Sequence, residues 1–211
     1  MAADSKRLRY LVYQPAFPLL TFSGENMFPL LTPRLCIRPF VATDAITLHE
    51  AIHESIDSVG RWLPWCAADY DLNTAQGWIT HCDQQRHEGH SFELVMVDRT
   101  AGHFLGSVAI NAINRAERLG NIGYWIRQSA QQQGLMTEAV REIASFGFGT
   151  LGLTRLEIIA AEQNYASRRV AEKVGAQFEG LLRNRIIIHD QPVTAALYSL
   201  TPGDTLSHQS L

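Results

Sequence analysis

The spacing of apolar residues changes character several times along this chain, and each change predicts an element. Leu35, Ile37 and Pro39 alternate with Cys36 and Arg38, the period of a first strand. From 43 to 55, Ala45, Leu48 and Ile52, followed by Ile56, fall near one helical face, with Thr43 or Asp44 as the candidate N-cap. The segment SVGRWLPWC, 58–66, is broken by Pro64 and predicts a short helix and a bend carrying Trp62 and Trp65. A second helix runs from about Thr74 to Glu88 and stops at Gly89. FELVMVD (92–98) and HFLGSVAINAIN (103–114) read as strands joined by the turn-rich DRTAG, and NIGYWIR (121–127) as a third.

The period then returns to 3.6. In 134–149, Met136, Ala139, Val140, Ile143, Ala144 and Gly147 share one face, and Glu138, Arg141, Glu142 and Ser145 share the other. A strand at 154–161 and a second amphipathic helix at 164–174, ending at Gly175, follow. Two last strands, about 178–189 and 193–200, are joined by HDQP. Strands interleaved with helices and closed by a hairpin predict an α+β domain on a mixed sheet.

Composition narrows the function classes. The chain has 211 residues, 46% of them apolar and 18% charged, with a formal net charge of −3. No Lys/Arg block is present, which argues against nucleic acid or an anionic membrane as partner. No apolar run is long enough for a membrane span, and the start lacks a secretory core. Cys36, Cys66 and Cys82 form no CxxC pair and read as reduced thiols of a cytoplasmic protein. No metal is expected. Residues 1–26 mix basic residues and prolines without a period. They read as a loosely attached extension, with Met27 as an alternative start; 27–203 form the single domain and 204–211 a tail.

The candidate chemistry lies in QQQGLMTEAV, 131–140, a polar loop between a strand and a helix. The first amides of a helix have no intrahelical partner and stand at the positive end of its dipole, which suits a phosphate or diphosphate. Gly134 removes a Cβ where an anion must approach, and Thr137 can add a hydroxyl. Glu138 fits the helix start by charge without touching the anion. The segment is neither a P-loop nor a GxGxxG fingerprint.

This loop resembles the acyl-CoA motif of the GNAT superfamily of N-acetyltransferases: Arg or Gln, two free positions, Gly, one free position, then Gly or Ala. Gln131 and Gly134 match, and Met136 departs in the manner of the Rim-type branch, which is similar to ribosomal-protein N-terminal acetyltransferases. LLTPRLCIRPF, RWLPW, NIGYWI and NYASRRVAEKVGAQFEG resemble further pieces of that branch in the right order, over about 30–200. The resemblance implies a GNAT fold, with a mixed, mostly antiparallel, splayed sheet and helices on both faces. It implies acetyl-CoA as co-substrate, its pantetheine arm in the splay beside Ile126 and Arg127 and its diphosphate on Gln131, Gln132, Gln133, Gly134, Leu135, Met136 and Thr137. Asn164, Arg168 and Lys173 of the later helix become further coenzyme contacts, although Asn164 also reads as a helix cap and exposed basic residues on a helix are usually just solvated.

The family reaction is direct attack of an amine on the thioester, with an oxyanion donor from a backbone N–H near Ile126. The usual tyrosine that protonates the thiolate is replaced by Ala171, and Ser167 is the better candidate acid. The usual Glu two residues before the Gly-Tyr pair is Asn121, which leaves Glu93, Glu157, His103 and His189 as candidate bases. An α-amine, with a pKa near 8 against about 10.4 for Lys, asks least of a weak base. Trp62 and Trp65 stand where Rim-type members wall the acceptor cleft; of Tyr124 and Trp125, alternation sends at most one there, and Tyr124 is taken as the contact. The expected activity is N-acetylation of a protein or peptide N-terminus, with a ribosomal protein as one candidate partner and a homodimer as the family's common state. Acetylation of a small amine or aminoglycoside, or coenzyme binding without turnover, are the alternatives.

Overall fold

The computed structural model describes residues 27–206; the extension expected over 1–26 lies outside them. Eight strands form one sheet in the order β1-β2-β3-β4-β5-β6-β8-β7. They are β1 (Leu30–Leu31), β2 (Leu35–Pro39), β3 (Phe92–Asp98), β4 (Phe104–Asn114), β5 (Leu119–Ile126), β6 (Arg155–Ala161), β7 (Gln177–Ile188) and β8 (Gln191–Leu200). Neighbours run antiparallel except β5 and β6. That parallel pair holds for three positions, Leu119↔Arg155, Gly120↔Leu156 and Asn121↔Glu157. Beyond Asn121 the two strands part, so the sheet opens into a wedge.

Helices cover both faces. On one, α3 (Leu135–Gly149) and α4 (Tyr165–Lys173) cover a core that includes Phe92, Leu94, Ile110, Ile122, Ile143 and Leu156. On the other, α1 (Asp44–Glu54) and α2 (Leu72–His87) close a smaller core around Leu48, Ile52, Val95 and Phe104. Alternation along the strands explains the division: Leu94 and Met96 of β3 face one layer and Val95 faces the other. The apolar stripe expected on α3 is the buried one, from Met136 to Gly147.

Several local details differ from the sequence reading. Neither candidate N-cap of α1 works as expected: Thr43 makes no side-chain cap bond, and the Asp44 carboxylate accepts Val41 N–H at 2.8 Å and two bonds from Arg38. The last hairpin turns more tightly than HDQP suggested, because His189 and Asp190 both adopt positive φ (47° and 60°), the twist that suits a two-residue hairpin loop. The 58–66 bend is entered through a π-helical segment, Ile56–Gly60. A Cβ on Gly60 would sit 2.3 Å from the Cys66 carbonyl oxygen, so only glycine admits that close approach. A short helix, α5 (Pro202–Leu206), crosses the expected 203/204 boundary, its start held by the Asp204 carboxylate, which accepts the N–H and hydroxyl of Thr201. No helix among the described residues is long and apolar enough to cross a membrane.

Candidate active site

The site is built where β5 ends. Arg127 donates its N–H to the Leu105 carbonyl on β4 at 2.8 Å. In an antiparallel pair successive residues address opposite neighbours, so the Ile126 N–H points away from β4, into the wedge. After a single 3-10 turn, Gln128–Ala130, the chain enters the polar loop, and α3 starts at Leu135 with Gly134 as its N-cap at φ 76°. No side chain caps that first turn. The side chains of Leu135, Met136 and Thr137 are buried, 5%, 5% and 9% exposed. What this stretch turns outward is its backbone, rather than the Thr137 hydroxyl expected from the sequence.

The three glutamines divide their work. Gln131 Nε2 reaches Ser58 Oγ (3.2 Å) and the Ile126 carbonyl (3.3 Å). Gln133 Nε2 donates to the Ser129 carbonyl at 3.2 Å. Gln132 is exposed, with φ 63°. Two of the three side chains therefore hold the shape of the loop. Arg34, which the sequence reading passed over, braces it from outside: its guanidinium donates to the Gln133 carbonyl at 2.9 Å and pairs with Glu138 at 2.6 Å. Glu138 also accepts Thr32 Oγ1 (2.5 Å) and Arg34 N–H (3.0 Å), which fixes the β1–β2 turn to the first turn of α3. The loop also walls a cleft of about 610 Å³ that includes Asp98, His103 and Arg127.

Arg127 is a correction. Its N–H is spent on β4, and its guanidinium binds Glu54 (Nε to Oε2, 2.9 Å) and the Phe104 carbonyl (3.2 Å), so neither is free for a coenzyme. Glu54 also accepts the Ser129 N–H at 2.7 Å, and the Arg127 hydrogen bond leads in holding its carboxyl down at about 2. Arg168 is a second correction. It donates to Tyr198 Oη (3.1 Å) and the Glu162 carbonyl (3.0 Å), which turns it toward β8 instead of toward a phosphate. Lys173 lies exposed on the last turn of α4, its carbonyl accepting Arg141. Asn164 caps α4 through Oδ1, which accepts Ser167 N–H at 3.1 Å.

On the α3/α4 face, Tyr124 meets Ser167. The phenol lies 3.0 Å from the Ser167 carbonyl and 3.1 Å from Oγ. Burial pushes the phenol up to about 12. Tyr124 is therefore separated from Trp62 and Trp65, and its assignment to the acceptor wall is the third correction. Trp125, one residue on, faces the other layer and lies edge-on to Trp65 with centroids 5.6 Å apart. Trp65 is 43% exposed, and Trp62 is half-buried under the Arg61 guanidinium, 4.9 Å from its ring. On that face Trp65 thus meets Trp125 and, with centroids 6.4 Å apart, Tyr70. Ala171, where the family tyrosine would stand, is fully buried.

The candidate bases scatter. His103 is exposed in the strand-end cleft, away from the wedge. His189 sits on the β7–β8 turn, where Nε2 lies 3.1 Å from the Gly60 carbonyl and ties that turn to the π-helical segment. Glu157 pairs with Asn121 at the last joined position and accepts Arg155 Nε at 2.9 Å. Glu93 lies deep on β3, its carboxyl pushed up by burial; Asn111 Nδ2 donates to it at 3.0 Å, and Asn121 Nδ2 donates to Asn111 Oδ1 at 3.0 Å.

Comparison with known proteins agrees with this geometry. The acetyltransferase (GNAT) domain model matches residues 34–177. The chain is 27% identical over 175 residues to the uncharacterized N-acetyltransferase YoaA of Bacillus subtilis, covering 82% of this chain and 97% of that one. It is 27% identical over 95 residues to the ribosomal-protein-serine acetyltransferase of Escherichia coli, covering 45% and 53%. Among solved structures, Mycobacterium smegmatis RimJ, in complex with CoA-disulfide, superposes with a TM-score of 0.73 at 22% identity, covering 80% and 82%. With a family match over most of the chain and a sheet that opens beside an uncapped helix start, the chain belongs to the GNAT family of acetyltransferases.

Proposed function

We propose that this acetyltransferase moves the acetyl group of acetyl-CoA to the α-amine of a protein or peptide, a ribosomal-protein N-terminus being the substrate class that its relatives' names suggest. The observation that carries the reading is the wedge: β5 leaves β6 after Asn121 while the Ile126 N–H is turned into the gap. The pantetheine arm lies there like an added strand, and its thioester oxygen meets that N–H as charge develops. The diphosphate rests on the outward amides of 131–137. Gln131, Gln132, Gln133, Gly134, Leu135, Met136 and Thr137 serve through the backbone, and Asn164 shapes the far wall by capping α4. In this reading Ser167 gives its proton to the departing sulfur and is re-protonated through Tyr124, which balances the proton that the attacking amine loses to solvent.

The amine approaches from the opposite face, along Trp62, Trp65 and Trp125. Beside Asn121, Glu157 is held by Arg155, and Glu93 is held by Asn111; an α-amine needs the least help from a base because about a tenth of it is already neutral at pH 7. The partly exposed Trp65 suits an extended peptide better than an enclosed small amine. The test is thiol release from acetyl-CoA with hexapeptides carrying a free N-terminus, matched Nα-blocked peptides carrying Lys, and small amines. Release with free N-termini supports the reading. Preference for Lys or small amines replaces the acceptor, and binding of coenzyme without release removes turnover.

A further inference from the structure

The two helical layers cover the sheet unequally. On one face α3 and α4 reach β6 and β7; on the other, α1 and α2 pack on β4 and β3. The core that α1 and α2 close holds no residue of β6, β8 or β7 among the described residues. That side of the three strands is nevertheless apolar. Ala196 and Tyr198 of β8 belong to the α3/α4 core, so Val193, Ala195 and Leu197 face the other way. Pairing carries the face across the strands: Leu197 opposes Ile159 of β6, while Ala195 and Val193 oppose Leu182 and Ile186 of β7. Ile159, Leu182, Ile186, Val193 and Leu197 are half-buried and packed into neither core.

This strip begins beside the reaction point. Counting on from the last joined pair, Asn121↔Glu157, Ala161 stands level with Trp125, one residue short of the Ile126 N–H. Ala161 in turn opposes Ala195. Strands lie about 4.8 Å apart and an extended chain advances about 3.3 Å per residue, so a peptide with its amine in the wedge lays its second to fourth residues over β6 and β8. At the far end, His189 Nε2 lies 3.1 Å from the Gly60 carbonyl, which holds the β7–β8 turn against the segment that leads to Trp62 and Trp65. The charges in the β7 bulge beside the strip are Arg183 and Arg185, both exposed, which disfavours a basic occupant.

We propose that this strip receives the residues that follow the acceptor's α-amine and selects peptides with bulky aliphatic side chains at positions two to four over polar or basic ones. This rests on the transferase reading above and adds a sequence preference to it. The occupant is a peptide because the strip is continuous with the wedge and lies at the level of the N–H that meets the thioester. Its selectivity comes from the apolar area that such side chains remove from water.

The experiment uses full-length protein and the hexapeptides Ser-Leu-Val-Leu-Gly-Gly, Ser-Ser-Thr-Ser-Gly-Gly and Ser-Arg-Thr-Arg-Gly-Gly. Thiol release at saturating acetyl-CoA gives kcat/KM, and calorimetry on protein saturated with CoA gives Kd. The aliphatic peptide is expected to exceed the others by about tenfold or more in both, the return on burying even one aliphatic side chain. Val193→Ser is expected to cut that ratio by about fivefold or more. Ile186→Ser, on the outermost strand, should do the same, and it carries the reading if melting curves show that Val193→Ser does not fold. Ile187→Ser is the control: Ile187 opposes Pro192 on the other face of β7 and is 62% exposed, so the ratio should hold. Equal use of the three peptides by wild type overturns the proposal. So does a ratio that survives in the folded strip variants, or one that is lost in Ile187→Ser as well. A wild-type dimer that becomes a monomer in Ile186→Ser, with the ratio unmoved, overturns it and assigns the strip to a second copy. If wild type releases no thiol with any amine, the transfer reading fails separately. Tighter calorimetric binding of the aliphatic peptide then still supports the strip, and equal or absent binding overturns it.

Discussion

The phenol oxygen of Tyr124 stands 3.1 Å from the hydroxyl of Ser167, joining the middle of β5 to the first turn of α4 across the wedge. Two hydroxyls in contact can relay a proton from Tyr124 to Ser167 without either becoming charged for long. Burial pushes the Tyr124 phenol up to about 12, so it keeps its proton throughout a neutral assay. Ser167→Ala is expected to lower kcat by about a hundredfold, the lower range for a positioned acid, while the Kd for CoA stays within about twofold. Tyr124→Phe is expected to lower kcat less, because Ser167 retains one proton to give. Steady-state kinetics beside calorimetry with CoA measures both, and an unchanged kcat in Ser167→Ala removes the serine from the reaction.

Gly134 offers a test of the diphosphate seat. Its φ of 76° is left-handed, and a Cβ there would meet only the Arg34 guanidinium, at 3.7 Å. A substitution therefore acts through backbone strain and not through a clash. Left-handed backbone disfavours an L-residue by about 1–2 kcal/mol, more for a β-branched one. Gly134→Val is expected to raise the Kd for CoA about tenfold or more, and Gly134→Ala to move it in the same direction by less. Unaltered affinity in both would place the diphosphate elsewhere.

Glu54 fastens the end of α1 to the entry of the loop through Arg127 and the Ser129 N–H. Its carboxyl falls from 4.5 to about 2 in the folded protein. A depressed carboxyl adds stability above its unfolded value and loses it as pH falls through its folded one. The contribution is thus complete at pH 7 and disappears between about pH 4.5 and 2. The pair is partly exposed, with side chains 24% and 28% accessible, so screening keeps it near about 1 kcal/mol. Melting curves of wild type and Glu54→Gln should differ by a few degrees at pH 7 and converge as pH falls from about 4.5 to 2. A gap that widened in acid would contradict this assignment.

Cys66 and Cys82 should be inert. Burial pushes the Cys66 thiol up to about 11 and the Cys82 thiol higher still, and both are almost fully covered. A protonated thiol is a poor nucleophile. Iodoacetamide at pH 8 should leave both unmodified in the native protein and modify both in urea, as peptide mapping by mass spectrometry would show. Rapid native alkylation of either, with loss of thiol release from acetyl-CoA, would reopen a covalent route.

Much of the scaffold was legible because it rests on local periodicity. The stripe from Met136 to Gly147 repeats at helical spacing and is buried as that spacing requires. The β3–β4 hairpin and the stops at Gly89 and Gly175 follow from alternation and turn chemistry in the same way. Elements with too few residues to show a period escaped: the two-residue β1, the 3-10 turn at Gln128–Ala130, and α5. The tightness of the last hairpin escaped too, because His-Asp is an unusual pair for two positive φ angles.

By itself, the sequence determined the kind of protein this is. A strand, a polar loop with one glycine, and an amphipathic helix are a local arrangement, and backbone amides at a helix start bind anions whatever lies around them. Only the tertiary structure decided which side chains face one another. Alternation says that Tyr124 and Trp125 diverge, but the packing of α4 on one face and of the Trp62–Trp65 segment on the other decides which goes where. Arg127 and Arg168 look available in one dimension and are occupied by Glu54 and Tyr198 in three. The chain Glu93–Asn111–Asn121 links three strands, and the one oxygen it leaves unpaired follows from hydrogen-bond directions that no spacing encodes.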